Sequence, residues 1–182
     1  MNIFDEVHYR NPKNELNLQG KIVIRHAVRA VVFNGKSLLM AHLGKTGEHK
    51  FPGGGRWEGE SPEEALRREV MEEVGYRVTA IGPRIGTITE YDHAAEGPEY
   101  LFKMISDYYL AQVDPVPQEQ ALEDNERELL YRPCWAGIEG MLQIQREIIN
   151  QKSPATPGIY RETIALGKIF ENLPYEAPWM SQ

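Results

Sequence analysis

The sequence predicts a mixed α/β domain in which one helix crosses between segments of sheet. Three observations predict it: a β-rich run that ends in a turn dipeptide, a capped helix behind three consecutive glycines, and a later series of strand-like runs closed by an amphipathic helix. In the first run, Val28, Ala30 and Val32 alternate with Ala27, Arg29, Val31 and Phe33. Asn34-Gly35 follows, a dipeptide suited to a two-residue hairpin turn whose central residues need positive φ, and Ser37–Leu43 supplies the returning strand. Phe51-Pro52-Gly53-Gly54-Gly55 breaks the pattern, because three glycines cannot hold a strand or helix interior. A helix over Pro62–Val74 comes next: Ser61 is an N-cap, Pro62 suits the first helical position, Glu64 completes a capping box, and Gly75 sits where a C′ glycine belongs. Residues 77–80, 85–90, 101–105 and 108–113 read as strands with turns between them. After an acidic stretch at 118–128, Ile138, Met141, Leu142, Gln145, Ile148 and Ile149 mark a second helix with one polar interruption at Gln145. The tail from Ile159 is ambiguous between helix and strand.

These patterns divide the chain into an N-terminal arm over 1–20 with little structure of its own beyond a short added strand, a domain over 21–152, and a linker and tail over 153–182 that packs on the domain or on a partner subunit. A homodimer would use the arm and the tail. The chain has 182 residues, 41% hydrophobic and 26% charged, with a net charge of −7. That balance argues against a nucleic-acid backbone as partner, yet allows a small anionic ligand if a metal supplies local positive charge. The single cysteine, Cys134, can form no internal disulfide, the N-terminus lacks a signal-like apolar stretch, and no run is long enough to span a membrane, so a cytoplasmic protein is expected.

The predicted helix carries the chemistry. On a wheel of about 100° per residue, with Glu69 at zero, Glu72 falls near −60° and Glu73 near +40°. Three carboxylates share one face beside an apolar stripe of Leu66, Val70 and Val74, which must be buried against the sheet. They should sit at a cleft edge. Like charges at this spacing cost roughly 0.2–0.5 kcal/mol per pair when exposed and more when partly buried. A divalent cation relieves that cost, and Mg²⁺ prefers such oxygen ligands. Glu63–Arg67 and Glu64–Arg68 are spaced as i, i+4 ion pairs away from this face. The backbone of Gly53, Gly54 and Gly55 can approach a phosphate or a metal closely.

The spacing Gly54, five residues, Glu60, seven residues, Arg68-Glu69-Val70-Met71-Glu72-Glu73-Val74-Gly75-Tyr76 matches the signature of the Nudix (MutT-like) hydrolases at each fixed position. Only Tyr76 departs, standing where the family has a bulky aliphatic residue, a change of packing rather than chemistry. The resemblance implies a Nudix α/β/α sandwich with a mixed β-sheet. It implies metal ligation by Glu69, Glu73 and Glu72, with a backbone carbonyl from Gly53 or Gly54, and Mg²⁺ (or Mn²⁺) as cofactor. It makes Glu60 and Arg68 the pair that holds loop and helix in register, with Arg68 orienting the carboxylates. The implied reaction is hydrolysis of a diphosphate bond in a nucleoside diphosphate linked to another moiety, by water attack on phosphorus.

The resemblance leaves the catalytic base open: Glu72, or an acid of the 119–128 segment, with Glu126 preferred for its distance to Trp135. Several alternatives are weighed on particular residues. A non-catalytic nucleotide sensor of the same fold would have lost box carboxylates. An isopentenyl diphosphate isomerase would need a cysteine upstream of the box, and an RNA decapping enzyme a basic stripe. Phe51, Trp57, Tyr91 and Tyr100 are aromatics that could stack a base, though each suits packing as well. The resemblance also bears on substrate: the family's ADP-ribose type carries a proline about 15 or 16 positions after the box, where this sequence has Glu90-Tyr91-Asp92, which leans toward nucleoside polyphosphates over ADP-ribose.

Overall fold

A computed structural model describes residues 3–4, 6–10, 16–151 and 155–172. Expectations for the rest of the arm, for 152–154 of the linker and for the tail beyond 172 lie outside the described residues. The elements are β1 (Val7–Arg10), β2 (Lys21–Val31), β3 (Phe33–Asn34), β4 (Ser37–Leu43), β5 (His49–Lys50), α1 (Pro62–Val74), β6 (Val78–His93), β7 (Tyr100–Val113), α2 (Asp124–Leu129), β8 (Tyr131–Gly137), α3 (Ile138–Asn150) and α4 (Ile159–Asn172).

Two groups of strands lie between helices, one mixed and one antiparallel. One has the order β1-β6-β7-β2, with β1 parallel to β6, β6 antiparallel to β7 and β2 parallel to β7. In the other, β4 pairs antiparallel with β3, β5 and β8. Alternation along β4 divides the core. Leu38 and Met40 face Met141 and Leu142 of α3 and Ala165, Leu166 and Ile169 of α4. Leu39, Ala41 and Leu43 face Leu66, Val70 and Val74 of α1. This is the α/β/α sandwich, and period-2 patterning produces it, since successive strand side chains point to opposite faces. None of the described helices is long and apolar enough to cross a membrane.

Helix α1 begins and ends where its caps dictate. Ser61 Oγ accepts from Glu64 N while a Glu64 carboxylate oxygen accepts from Ser61 N, and Gly75 closes the helix in the left-handed region at φ 73°. Tyr76 packs edge-on against Trp135, whose Nε1 donates to the Tyr76 hydroxyl at 3.2 Å, so the departure from the family pattern is a packing change.

Three expectations are corrected and one open reading is settled. The hairpin loop is Gly35-Lys36 rather than Asn34-Gly35: Asn34 pairs with Ser37, and Gly35 alone there has positive φ, the Gly-first form of a two-residue loop. The four separate strands after α1 are two long ones, because Gly82-Pro83 falls within a register shift of the β6–β7 ladder, where a missing proline N–H costs no ladder bond. The arm does more than add a strand: the N–H groups of Ile3 and Phe4 donate to Ile85 O, and the Phe4 ring packs on Tyr108 in the core. The tail from Ile159 is a helix, α4, buried against α3 and the sheet.

Gln145, the polar interruption of α3, is fully buried and spans the edge of β5, its Oε1 accepting from His49 N at 3.3 Å and its Nε2 donating to His49 O at 3.0 Å. Gln145→Leu keeps the volume but strands both backbone groups, an expected loss of about 2–4 kcal/mol in urea denaturation. A loss below about 0.5 kcal/mol would contradict this account of the residue.

Candidate active site

The glycine segment lies along β2 as an extra strand. Ala30 N donates to Pro52 O at 2.8 Å, Val28 N to Gly54 O at 3.0 Å, and Arg56 N to His26 O at 2.9 Å. Gly53 adopts φ +140°, and a Cβ there would run into the Val28 carbonyl. A Cβ on Gly54 would stand 2.6 Å from the carboxyl carbon of Glu69. The loop therefore needs glycine for close approach at both positions, on the strand side at Gly53 and on the α1 side at Gly54.

Arg68 joins this loop to the helix. Its Nε and Nη2 each donate to the Glu60 carboxylate at 2.8 Å, its Nη1 to Glu69 at 2.7 Å and Glu72 at 3.1 Å, and its Nη2 also to Gly55 O at 3.1 Å. Its guanidinium lies 3.9 Å from the Trp57 ring centre. The hydrogen bonds from Arg68 hold Glu60 below the usual carboxylate range, and those to Glu60 hold Arg68 firmly protonated. The expected i, i+4 pairs do not form: Glu64 serves the cap of α1, Arg67 donates to the Val78 carbonyl, and Arg68 takes Glu60, Glu69 and Glu72 instead. The bidentate fork of a guanidinium on one carboxylate outcompetes a flexible surface pair.

The carboxylates lie deeper than the cleft edge expected of them. Glu73 is 4% exposed and Glu69 9%, while Glu72 stays partly open. Burial pushes the Glu73 carboxyl up to about 8 against the pull of Lys50, Arg29 and the Gly53 N–H, which donates to Glu73 at 2.8 Å. Burial likewise raises Glu69, opposed by Arg68. Lys50 is lowered, first by burial and then by Arg29, and its Nζ donates to the Tyr131 hydroxyl at 2.7 Å. The Gly53 carbonyl accepts from Arg29 Nη1, whose side chain also lines the cleft, and the Gly54 carbonyl accepts from Val28 N in the strand pairing.

These groups line a cleft of about 250 Å³ bounded by the glycine loop, α1, the inner face of β2, β6 and β7, the start of α2 and the approach to α4. Glu126 lies in it, 8% exposed and raised by burial, with one carboxylate oxygen accepting from Glu123 N at 2.8 Å to cap α2. The aromatics expected as stacking candidates lie elsewhere. Phe51 is buried in the core against Tyr108, Trp57 covers Arg68, Tyr91 stacks on His8, and Tyr100 lies under Lys21. Phe102, beside Met104, and Tyr131 are the aromatics that line the cleft.

The far wall is one the sequence reading missed. Thr156, Pro157, Gly158 and Arg161 line the cleft. Arg161, 4% exposed, donates to Glu90 at 2.6 Å and to Glu162 at 2.8 Å; Glu162 in turn accepts from Phe51 N at 3.1 Å. Buried Glu48 accepts from both Thr156 N and Thr156 Oγ1 at 2.7 Å. Arg29 is the one cation of the apolar run 27–33, but nothing in the local pattern marks it, Lys50, Glu90 or Arg161 as neighbours.

Residues 23–153 match the model of the NUDIX domain family. The chain belongs to the Nudix hydrolase family. Among solved structures it is similar to a NUDIX hydrolase from Nitrosomonas europaea, at 18% identity and a TM-score of 0.53 over 84% of this chain and 93% of that one. It is also similar to a MutT NUDIX hydrolase from Burkholderia pseudomallei, at 18% identity and a TM-score of 0.54 over 81% of this chain and 98% of that one. These likenesses bear on the fold, which is the Nudix α/β/α sandwich.

A divalent cation is the group that the Nudix box would hold. The box's donors are carboxylate oxygens, the chemistry hard cations prefer. Among the described residues no three acidic, histidine or cysteine side chains converge into a ready cage, since Arg68 draws Glu69 and Glu72 together while Glu73 turns to Gly53 N. The donor set still fits. Two buried glutamates, one turn apart, lie beneath a loop whose missing Cβ atoms leave room for oxygen ligands, and their raised values mark a site that gains from an added positive charge. Gly54→Ala should displace the Glu69 carboxylate and lower kcat by about 10²-fold, the cost of roughly 1 Å of misplacement, with the melting temperature kept within a few degrees. Wild-type turnover in that variant would show that the close approach has no role in the site.

Proposed function

We propose that this Nudix hydrolase cleaves a diphosphate bond in a nucleoside diphosphate linked to another group, by attack of water on phosphorus. It uses Mg²⁺, or Mn²⁺, held by Glu69, Glu72 and Glu73. The observation that carries this reading is the meeting of the α1 carboxylates with a glycine loop in one cleft whose wall also holds Arg29 and Lys50. When bound, the cation neutralises charge on the phosphate oxygens and acidifies the attacking water. The chain's own residues do the rest. Glu60 and Arg68 fix the helix against the loop and aim Glu69 and Glu72 into the cleft. Arg29 and Lys50 supply positive charge for the phosphates, and Arg29 Nε, buried, has no acceptor among the described residues. Basic side chains along the cleft suit a polyphosphate chain better than the second ribose of ADP-ribose. Tyr91 lends that preference no contact, because its ring stacks on His8 rather than lining the cleft.

Glu126 is our candidate for the base. It lies in the same cleft as Glu72, its carboxyl is raised by burial, and only one of its oxygens caps α2. A raised carboxyl accepts a proton more readily at neutral pH. Glu72 is the second candidate, although Arg68 holds one of its oxygens. The reading as a non-catalytic sensor has no residue in its favour, since each box carboxylate is in place. We place the enzyme in the cytoplasm, on its single, half-buried cysteine.

Glu73→Gln, isosteric with the protonated acid that burial favours, should fold normally and lose kcat by several orders of magnitude at saturating Mg²⁺. Unchanged turnover would remove Glu73 from the metal site. Glu126→Gln should keep the α2 cap and lower kcat by about 10²–10⁴-fold with little change in KM, with partial recovery at higher pH. A kcat near wild type would return the role to Glu72.

A further inference from the structure

The inner face of the long sheet carries an arrangement that the hydrolytic chemistry leaves unused. Strand register places Arg25 of β2, Met104 of β7 and Glu90 of β6 in one cross-strand row, and Val23, Phe102 and Asp92 in the next. Phe102 and Met104 are thus central, flanked by acids on the β6 side and by a cation on the β2 side. Neighbouring strands are about 4.8 Å apart, so each row spans about 10 Å, the scale of a nucleobase with its sugar. The two ends differ in chemistry. A Cβ on Gly55 would stand 2.8 Å from the Arg25 guanidinium carbon, so the cationic end abuts the glycine loop and the α1 carboxylates. At the acidic end Glu90 is held by Arg161, and half-buried Asp92 accepts from its neighbour His93 N at 2.7 Å. Thr156, held by Glu48, lines the same cleft together with Pro157 and Gly158.

We infer that this platform seats the nucleobase. The ring lies on Phe102 and Met104, the phosphates run past Arg25 to the α1 carboxylates, and the base's edge meets Asp92, so the enzyme favours bases with an exocyclic amino group over uracil. A carboxylate accepts hydrogen bonds and donates none when ionised; it welcomes an amino group and is repelled by the two carbonyl oxygens that flank the single N–H of uracil. This rests on the reading of the substrate as a nucleoside diphosphate derivative.

Titration calorimetry with the non-hydrolysable α,β-methylene diphosphates of adenosine, guanosine, cytidine and uridine, and with methylenediphosphonate, each with Mg²⁺, tests it. In the wild type the uridine compound should bind weakest. Phe102→Ala should weaken the nucleotides by at least about 10-fold, as loss of one base–aromatic stack does, and leave methylenediphosphonate within about twofold. Phe102→Leu, which keeps the volume but removes the flat face, guards against a folding defect and should act in the same direction. Asp92→Asn should bring the uridine compound level with the others. Unchanged nucleotide affinity in both Phe102 variants, an equal loss for methylenediphosphonate, or a wild type that binds uridine as well as the rest would overturn the proposal. Turnover of the hydrolysable nucleotides by the same preparations is read separately: binding as predicted without any hydrolysis would sink the proposed reaction and leave the platform standing.

Discussion

Helix α1 carries Glu69 and Glu73 onto the side that packs against the sheet, and much of the surrounding structure serves to hold them there. Two like charges one turn apart repel, and removal from water adds a larger cost. The chain meets that cost piecemeal. Arg68 reaches Glu69, the Gly53 N–H reaches Glu73, and Arg29 and Lys50 supply charge from β2 and β5. Glu73 still sits at about 8, so the compensation is incomplete without a further cation. Hydrophobic burial of Leu66, Val70 and Val74 is what makes the helix accept this position.

The same economy explains α4. It follows the stretch that matches the family model, yet it braces the site from behind. Glu162 accepts from Phe51 N, one residue before the proline that opens the glycine loop, while Arg161 ties α4 to Glu90 on β6. Buried ion pairs are weak sources of net stability but expensive to break singly, which makes them useful for fixing one arrangement of parts. Loop, cleft floor and C-terminal helix are thereby linked through charged groups that burial leaves little freedom to move.

Much of this was legible in the sequence where the signal is local. Ser61, Glu64 and Gly75 bound α1 because caps act within a turn of the residue they serve, and the box placed Glu60 and Arg68 together because their spacing is set by one loop and one helix. Non-local features were opaque. The Gly82-Pro83 punctuation reads as a turn, and only the partner strand β7 makes it an irregularity inside a continuous ladder. Ile3 and Phe4 look like the start of a polar arm until Gly86 leaves room for the Phe4 ring beside Tyr108. Cross-strand register, unknown before pairing, decides that Phe102 rather than Tyr91 or Tyr100 faces the cleft. Lys50, Glu90 and Arg161 meet from three distant segments.

The central claim is that the buried pair on α1 is stabilised by the proposed divalent cation, and a thermal melt tests it most directly. Because burial raises Glu73 from 4.5 to about 8, its contribution to the stability of the metal-free protein is present at low pH and is lost as pH rises through about 8. A cation needs the ionised form, so the rise in melting temperature on adding millimolar Mg²⁺ or Mn²⁺ should grow from about pH 6 to about pH 8.5. It should vanish in the Glu69→Gln, Glu73→Gln double variant. A shift of the same size in that variant, or one that shrinks as pH rises, would contradict the account.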